Sequence, residues 1–518
     1  MRTIAATLMA LGVTAIANAD YRDWCEWDEL IERIGVEAVP TGDGVICAQI
    51  EVESAGNYVA DEDDPDFADN FLWKRSGGSG ESSHATTIGK KFYGQSQSLA
   101  PDIWLVNCWE VNHWLQGGFL KVGQGSSNPP AYEGLGTIKV WNHSWIGSFG
   151  SVGNDHDALR RVDWVVENDP NSPTVCVGIN NGDETQALLS YAWNVISVGR
   201  RDGAHAWSDV PEPYEGAGRM SPLITGTLFT TSEATPTVSA TAAMLVEVAR
   251  DMDEDLGQAS ETIKAVLLAA ASHEPTGADD PDWSWSNEAI DSGPDRGWTD
   301  RPLNDIYGAG HLDVNRAHQI LTGGRTPAAI GSDSPPLATT HGWDLSSVSA
   351  GNDMTWQFVL PDGALELSII ATWNRHVTSN FSSWTIADID LELLAYDNGV
   401  EVPLLGDDLA FGSGNVVSVS ALDNVEHLFL RDLVPGTYLL RATRHDGAST
   451  AADVALAWWS SNEVGGVFGD FDGDGLVTVN DLLQLIAAFG NCEDCVEDLN
   501  GDSIVDVNDL LALLGVWS

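Results

Sequence analysis

The chain has 518 residues, of which 77 are acidic and 24 are basic, so its formal net charge is −53. A field of this sign repels nucleic-acid phosphates and anionic lipid heads, which argues against nucleic acid as a partner. Hydrophobic residues make up 43% of the chain, and there are 21 Trp, which excludes an intrinsically disordered protein. The length predicts roughly three or four structural units.

The N-terminus has the pattern of a secretory signal peptide. Arg2 is followed by an apolar run over residues 4–17, which ends in the small-x-small site Ala17-Asn18-Ala19. The run is too short to cross a bilayer, and no later stretch reaches the roughly eighteen apolar residues that a spanning helix needs. We therefore expect residues 1–19 to be a signal peptide, no transmembrane span, and a protein that is secreted, extracellular or associated with the cell surface.

Six cysteines would be free to pair in that compartment. Cys492 and Cys495 lie close together in a short connection and are expected to bond to each other or to cap a turn. Cys47 and Cys176 lie inside apolar strand-like runs, which is typical of buried thiols.

Residues 20–322 alternate short apolar runs with helical patterns. Apolar runs of this kind are typical of strands that are buried on both faces, and their alternation with helices predicts a parallel α/β sheet. The strands are predicted at 45–50, 103–106, 174–177 and 194–198, and helices at 157–167, 235–250 and 259–271.

Three further regions follow this α/β region. The Gly/Pro/Ser-rich stretch 323–337 predicts a linker. Residues 338–460 alternate apolar and polar side chains between turn signals, which predicts an antiparallel β-sandwich. Residues 466–518 contain an internal repeat with short apolar helices. The predicted fold class is therefore multidomain: an α/β parallel-sheet domain, an all-β sandwich and a small helical calcium-loop module.

The repeat places oxygen-bearing side chains at positions 1, 3, 5, 9 and 12 of two loops, which begin at Asp470 and Asp498. Calcium needs about six to eight oxygen ligands, and this spacing wraps them round one ion. Position 7 would contribute a backbone carbonyl. We therefore predict calcium as the cofactor of this module. The expected ligands are Asp470, Asp472, Asp474, Leu476, Thr478 and Asp481 in the first loop, and Asp498, Asn500, Asp502, Ile504, Asp506 and Asp509 in the second.

This tandem repeat resembles type I dockerin, a calcium-loop module whose family partner is a cohesin domain. The position-12 residue is Asp in both loops, as is normal for that family. The resemblance implies a cohesin-like partner, although paired calcium loops also occur as a purely structural terminus.

Four polar residues of the α/β region stand at the ends of predicted elements. Glu51 ends a buried strand, where a carboxylate is costly unless it has a partner. His84 and Ser232 each stand where a polar loop enters a helix, and Asn180 follows another buried strand, where its amide would project into a cleft. Taken alone, Ser232 is explained as well or better as an ordinary helix N-cap.

Together these four residues resemble the subtilisin-like serine proteases, in which the acid, His, Asn and Ser follow in this order. His84-Ala85-Thr86 resembles the family's His-Gly-Thr motif, and Thr231-Ser232-x-Ala234-x-Pro236 matches its Gly-Thr-Ser-x-Ala-x-Pro motif from the second position. The likeness extends over residues 20–322. Asn142-His143-Ser144-Trp145 resembles the strand that lies along the substrate, so the resemblance implies Ser144 and Trp145 as substrate-binding residues.

The chemistry that the resemblance implies is hydrolysis of peptide bonds in protein or peptide substrates. Ser232 would be the nucleophile, and His84 would take its proton and pass it to the leaving amine. Glu51 would orient the imidazole, and Asn180 would donate a hydrogen bond to the oxyanion.

The sequence departs from the family at three points. Glu51 stands where most members have Asp, with Glu53 and Asp61 as alternative partners of His84, and Thr230 stands where the family has Gly. Residues 20–40 are too few for the folded pro-segment that many members use. A second hypothesis is therefore a catalytically inactive subtilase-like extracellular binding or surface protein, tethered through its dockerin-like module.

Overall fold

The structure is a computed structural model. It describes residues 21–130, 138–182, 186–206, 209–273, 289–331, 333–397, 399–448, 450–461, 479–491, 504–505, 507, 509–510 and 513. The predicted signal peptide, 1–19, and the predicted Cys492–Cys495 pair lie outside the described residues and stay predictions.

The α/β unit is built on a parallel sheet of seven strands in the order β2-β3-β1-β4-β5-β6-β7. These strands are β1 Ile46–Glu51, β2 Phe71–Lys74, β3 Leu105–Glu110, β4 Ile138–His143, β5 Thr174–Gly178, β6 Ile196–Gly199 and β7 Ile224–Thr225. The central strands are buried almost throughout, because apolar clusters lie on both faces of the sheet. The predicted parallel α/β sheet is confirmed, although β3 begins two residues later than the predicted 103–106 run.

Among the described residues, six α-helices accompany this sheet. They are α1 Trp27–Ile34, α2 Ser83–Phe92, α3 Val152–Asn168, α4 Thr231–Asp251, α5 Ser260–Ala269 and α6 Val314–Thr322. Helix α4 is buried along most of its length and packs against β4, β5, β6 and α2. Its many Ala, Ser and Thr side chains are small, so its neighbours approach closely. The buried thiols of Cys47 and Cys176 lie in the same region of the core, as predicted.

Two sheets follow and pack face to face. One has the strand order β10-β21-β12-β19-β17, and the other has β8-β18-β15-β20-β11-β9 with β16 paired to β15. Their inner faces share one apolar core that includes Trp356, Trp373 and Trp458, so the predicted β-sandwich is confirmed. The strands of these two sheets are β8 Trp298–Thr299, β9 Ala329–Ile330, β10 His341–Val348, β11 Asp353–Leu360, β12 Ala364–Trp373, β15 Ile389–Asp397, β16 Val400–Pro403, β17 Ser413–Gly414, β18 Val417–Ser418, β19 Val425–Leu433, β20 Gly436–Arg444 and β21 Ala452–Ser460. The short strands β13 His376–Val377 and β14 Trp384–Thr385 pair with each other in a separate two-stranded sheet.

The sandwich takes strands from outside residues 338–460. Strand β8 comes from the α/β region and pairs in parallel with β18. Strand β9 comes from the predicted linker 323–337 and pairs with β11. The connecting segment is therefore hydrogen-bonded to the sandwich along part of its length.

A buried polar network joins the sandwich to the α/β unit. The Arg375 guanidinium donates to Asp163 at 2.8 Å and to Glu215 at 2.6 Å, and its side chain is 1% exposed. The backbone of the same residue exchanges two hydrogen bonds with the side chain of Asn194, at 2.7 and 3.0 Å. Helix α5 also packs directly on β12 and β21. The two regions therefore share a continuous buried interface.

The C-terminal module contains α7 Val479–Ala487 and the antiparallel pair β22 Gly490–Asn491 and β23 Ile504–Val505. Leu485, Val505 and Leu513 form its small apolar cluster. Within the described part of the chain, every helix is too short or too polar to cross a bilayer.

We predict that Arg375→Met lowers the free energy of unfolding by about 3–5 kcal/mol, because it leaves the buried Asp163 carboxylate without its cation. Urea denaturation of the full chain measures the change. Arg441→Met is the matched control, since Arg441 pairs with Glu392 and Glu401, which are 35% and 44% exposed, and such pairs contribute less than about 1 kcal/mol. Equal losses in both variants would contradict the interpretation of the interface.

Candidate active site

Glu51 is the last residue of β1, and its side chain is fully buried. Strand β1 lies between β3 and β4, where the order of strands along the sheet reverses. The carboxyl ends of strands at such a switch point form the crevice in which open α/β sheets bind ligands. The buried carboxylate accepts a hydrogen bond from Gln49 Nε2 at 2.8 Å and lies 2.7 Å from His84 Nδ1. Its charge is thus compensated by two donors.

His84 lies in the first turn of α2, where Ser82 is the N-cap. A carboxylate only accepts hydrogen bonds, so Nδ1 carries the proton that faces Glu51, and Nε2 is left to act as a base. The side chain is 47% exposed, which gives a substrate access to it. The hydrogen bond with Glu51 raises the pKa of His84, burial opposes this, and the charges of Glu51 and Glu233 raise the pKa further.

Gln49 and Tyr93 hold Glu51 in place through a chain of hydrogen bonds. The Gln49 amide donates to Glu51 and, at 3.0 Å, to the carbonyl of Ala85 in α2, while its oxygen accepts from the buried Tyr93 hydroxyl at 2.5 Å. One side chain therefore ties β1 to α2 and fixes the carboxylate. Our sequence reasoning missed both residues. The available signal for Gln49 was its place two residues before Glu51, on the same face of the strand.

The alternative acids lie elsewhere. Glu53 is exposed, and the carboxylate of Asp61 accepts from the backbone N–H of Asp63 at 3.0 Å. The structure brings Glu51, rather than either of these residues, to the imidazole of His84.

Ser232 is the second residue of α4. The N-cap is Thr230, whose hydroxyl accepts from the Glu233 N–H at 3.3 Å and donates to the Glu233 carboxylate at 2.9 Å. Ser232 is therefore not the N-cap, which was the structural alternative for this serine. Helix α4 packs against α2, and Glu233 is near enough for its charge to act on His84. The first turn of α4 is thus within electrostatic range of His84.

Asn180 lies in the loop after β5, beside the first turn of α4. A Cβ at Gly178, the last residue of β5, would lie 2.8 Å from Thr235 Oγ1, so glycine permits the close approach of this turn. Asn181, which our sequence analysis did not select, accepts a hydrogen bond from the Thr231 N–H at 2.8 Å. The loop that carries Asn180 is therefore attached to the residue before Ser232.

Ser144 and Trp145 follow β4. The Ser144 hydroxyl accepts from Asn142 Nδ2 at 3.0 Å, and the Trp145 indole donates to His143 Nδ1 at 3.2 Å. Burial lowers the pKa of His143 to about 3, so this imidazole is neutral. Both predicted substrate-binding residues are buried, at 2% and 7% exposure. Their contact with a substrate therefore stays a prediction.

Three of the predicted calcium ligands are described. Asp481, in α7, and Asp509 are fully buried, whereas Ile504 lies in β23 with its side chain 44% exposed. Among the described residues, no group of three or more His, Cys, Asp or Glu side chains is arranged to hold a metal ion. The other nine predicted ligands lie outside the described residues: Asp470, Asp472, Asp474, Leu476, Thr478, Asp498, Asn500, Asp502 and Asp506.

We predict that Glu51→Gln lowers the pKa of His84. The substitution removes the charged acceptor that raises this pKa, while the opposing effect of burial remains. NMR titration of isotope-labelled histidine measures the shift, with His84→Gln to assign the signal. Glu53→Gln, which alters a nearby exposed carboxylate, should leave the pKa unchanged, and an unchanged value in Glu51→Gln would contradict the pairing.

No protein-family model matches the chain, and no curated protein matches it. Among solved structures, the prenylagaramide maturation protease PagA is 20% identical with a TM-score of 0.36, covering 54% of this chain and 94% of that one. A lanthipeptide protease is 15% identical with a TM-score of 0.36, covering 57% and 94%. A cold adapted subtilisin-like serine proteinase is 16% identical with a TM-score of 0.30, covering 46% and 86%. Sequence identities and TM-scores this low do not show which activity the chain has.

Proposed function

We propose that this chain is a secreted serine endopeptidase of the subtilisin type, which hydrolyses peptide bonds through Ser232, His84 and Glu51. The observation that carries the proposal is the 2.7 Å contact between His84 Nδ1 and the buried Glu51 carboxylate, at the start of a helix that packs against the helix of Ser232. This arrangement supplies the nucleophile, the base and the group that orients the base. Secretion rests on the signal pattern of residues 1–19.

In the proposed mechanism, Ser232 Oγ attacks the carbonyl carbon of a peptide bond while His84 Nε2 takes the hydroxyl proton. Glu51 holds Nδ1–H and stabilises the imidazolium that forms. Asn180 donates to the oxyanion of the tetrahedral intermediate, which lowers the barrier. The imidazolium returns the proton to the leaving amine, and water then releases the acyl group from Ser232 by the same steps in reverse.

Two departures from the family motif are compatible with an active enzyme. The longer side chain of Glu51 is held by Gln49, which is itself fixed by Tyr93. Thr230 has φ −131° and ψ 142°, a conformation open to every residue, so its position does not require glycine. Thr230 instead caps the helix that carries the nucleophile.

We predict that a fluorophosphonate–rhodamine probe labels the mature wild-type chain and that Ser232→Ala abolishes labelling, because only an activated serine reacts. Gel fluorescence and mass spectrometry of the labelled peptide provide the measurement. Ser83→Ala, which removes an exposed hydroxyl next to His84, is the control and should label normally. An unlabelled wild type would instead support the inactive, tethered scaffold.

We propose further that residues 466–518 bind two calcium ions and dock a cohesin-like partner. The predicted ligands are all oxygen donors, as a hard cation requires. Asp481 and Asp509 occupy the same position of the two loops, and both are buried, as carboxylates that close a calcium loop would be. When bound, one calcium ion would hold each loop in place, and the six ligands named above for that loop would surround it.

We expect deletion of residues 466–518 to remove high-affinity calcium uptake and to leave fluorophosphonate labelling nearly intact, because the module lies outside the α/β unit. Isothermal titration calorimetry counts the ions. In the full chain, Asp481→Ala and Asp509→Ala should each remove one ion, whereas Asp388→Ala in the sandwich should remove none. Unchanged uptake after the deletion would overturn the assignment.

A further inference from the structure

Residues 21–25, which we call the N-terminal strap, are packed into the α/β unit. Tyr21 is 8% exposed and Cys25 is fully buried, and Cys25 lies in the apolar cluster that also contains residues of α4 and α6. A short 3-10 turn, Asp23–Cys25, forms the C-terminal end of the strap. The segment therefore belongs to the folded catalytic unit.

One end of the strap contacts helix α2. The Tyr21 hydroxyl donates to the backbone carbonyl of Gln97, and the ring of Tyr21 lies 4.6 Å from the ammonium of Lys91. Lys91 belongs to the last turn of α2 and also donates to the Gln97 side chain at 2.7 Å. This end is thus attached to the helix that carries His84 in its first turn.

The other end contacts the loop that leads to Ser232. The Trp24 ring packs edge-to-face on Phe229 at 5.2 Å, and the Trp24 carbonyl accepts from the Arg201 guanidinium at 2.8 Å. Arg201 is 3% exposed, and its backbone N–H donates to the Leu228 carbonyl at 3.1 Å. Leu228 and Phe229 immediately precede Thr230, the N-cap of α4. This end therefore contacts the loop that precedes α4, the helix that carries Ser232.

We infer that the N-terminal strap positions Ser232 against His84, with Trp24 as its main positioning residue. The inference deepens the proposed function and rests on it. Phe229 is 47% exposed, so only the residues packed against its buried side fix its position. Trp24 is one of these residues. A misplacement of about 1 Å between reacting groups costs on the order of 10²-fold in rate.

The test is the inactivation of the full mature chain by fluorophosphonate–rhodamine, with the limiting rate kinact and the half-saturation concentration KI measured separately. Trp24→Ala should lower kinact about 10- to 100-fold, while KI and the acid limb of the pH profile stay unchanged, because Glu51 still sets the pKa of His84. Trp24→Phe should restore the rate to within about threefold, since it keeps the aromatic contact. Phe229→Ala, which alters a half-exposed residue and should fold normally, should reproduce the loss.

The matched control is Trp27→Ala. Trp27 is three residues further along, is half-buried against the same apolar cluster and belongs to α1, which packs on α6. It should lower the unfolding midpoint and leave kinact unchanged. The double variant of Trp24 and Phe229 should be no slower than either single variant, because both remove one contact.

The inference is overturned if Trp24→Ala and Phe229→Ala label at the wild-type rate, or if Trp27→Ala slows labelling as much as Trp24→Ala does. In both cases the wild type reacts, so the proposed function stands. A wild type that never reacts overturns the proposed function and this inference with it.

Discussion

The hydrogen bond between His84 and Glu51 is the interaction on which the candidate site depends. It requires a carboxylate at a fully buried strand end, and such a charge persists only where donors compensate it. The parallel sheet places Glu51 at the reversal of strand order, and α2 brings the imidazole to one oxygen while Gln49 donates to the other. Tyr93 then fixes Gln49. These contacts together compensate the buried charge of Glu51 and orient its carboxylate towards His84.

The Ser232 side of the candidate site depends on a different constraint, which is the close approach of α4 to β5. Gly178 lets the first turn of α4 lie against β5, and Asn181 ties the neighbouring loop to Thr231. Thr230 and Glu233 act together, since the Thr230 hydroxyl accepts from the Glu233 N–H, which caps the helix, and donates to the Glu233 carboxylate. That pair leaves the hydroxyl of Ser232 out of helix capping, and it places a negative charge where it raises the pKa of His84.

Much of this could be predicted from the sequence, because strand ends and helix starts carry local signals. Glu51 ends an apolar run and Ser232 opens a helix of small residues, so their elements and order were predictable. Tyr93 and Asn181 were not, since each acts through a partner about fifty positions away along the chain (44 and 50). The contact between Arg375 and Asp163 spans 212 positions. No periodicity reports such a contact, so the sequence predicted a linker and a separate sandwich where the structure has a shared interface.

That interface changes what the sandwich does for the site. The loop after Asn180 returns to the sheet through Trp193, whose carbonyl accepts from Asn424 of the sandwich at 3.0 Å and from Lys264 of α5 at 3.1 Å. Burial lowers the pKa of Lys264 to about 7, so its charge depends on the groups packed around it. The backbone N–H of Arg375 also donates a hydrogen bond to the side chain of Asn194, the residue after Trp193. The sandwich therefore holds the C-terminal end of the loop that begins at Asn180, the proposed oxyanion donor. The β-sandwich thus supports the loop of Asn180, whereas the N-terminal strap contacts the loop that leads to Ser232.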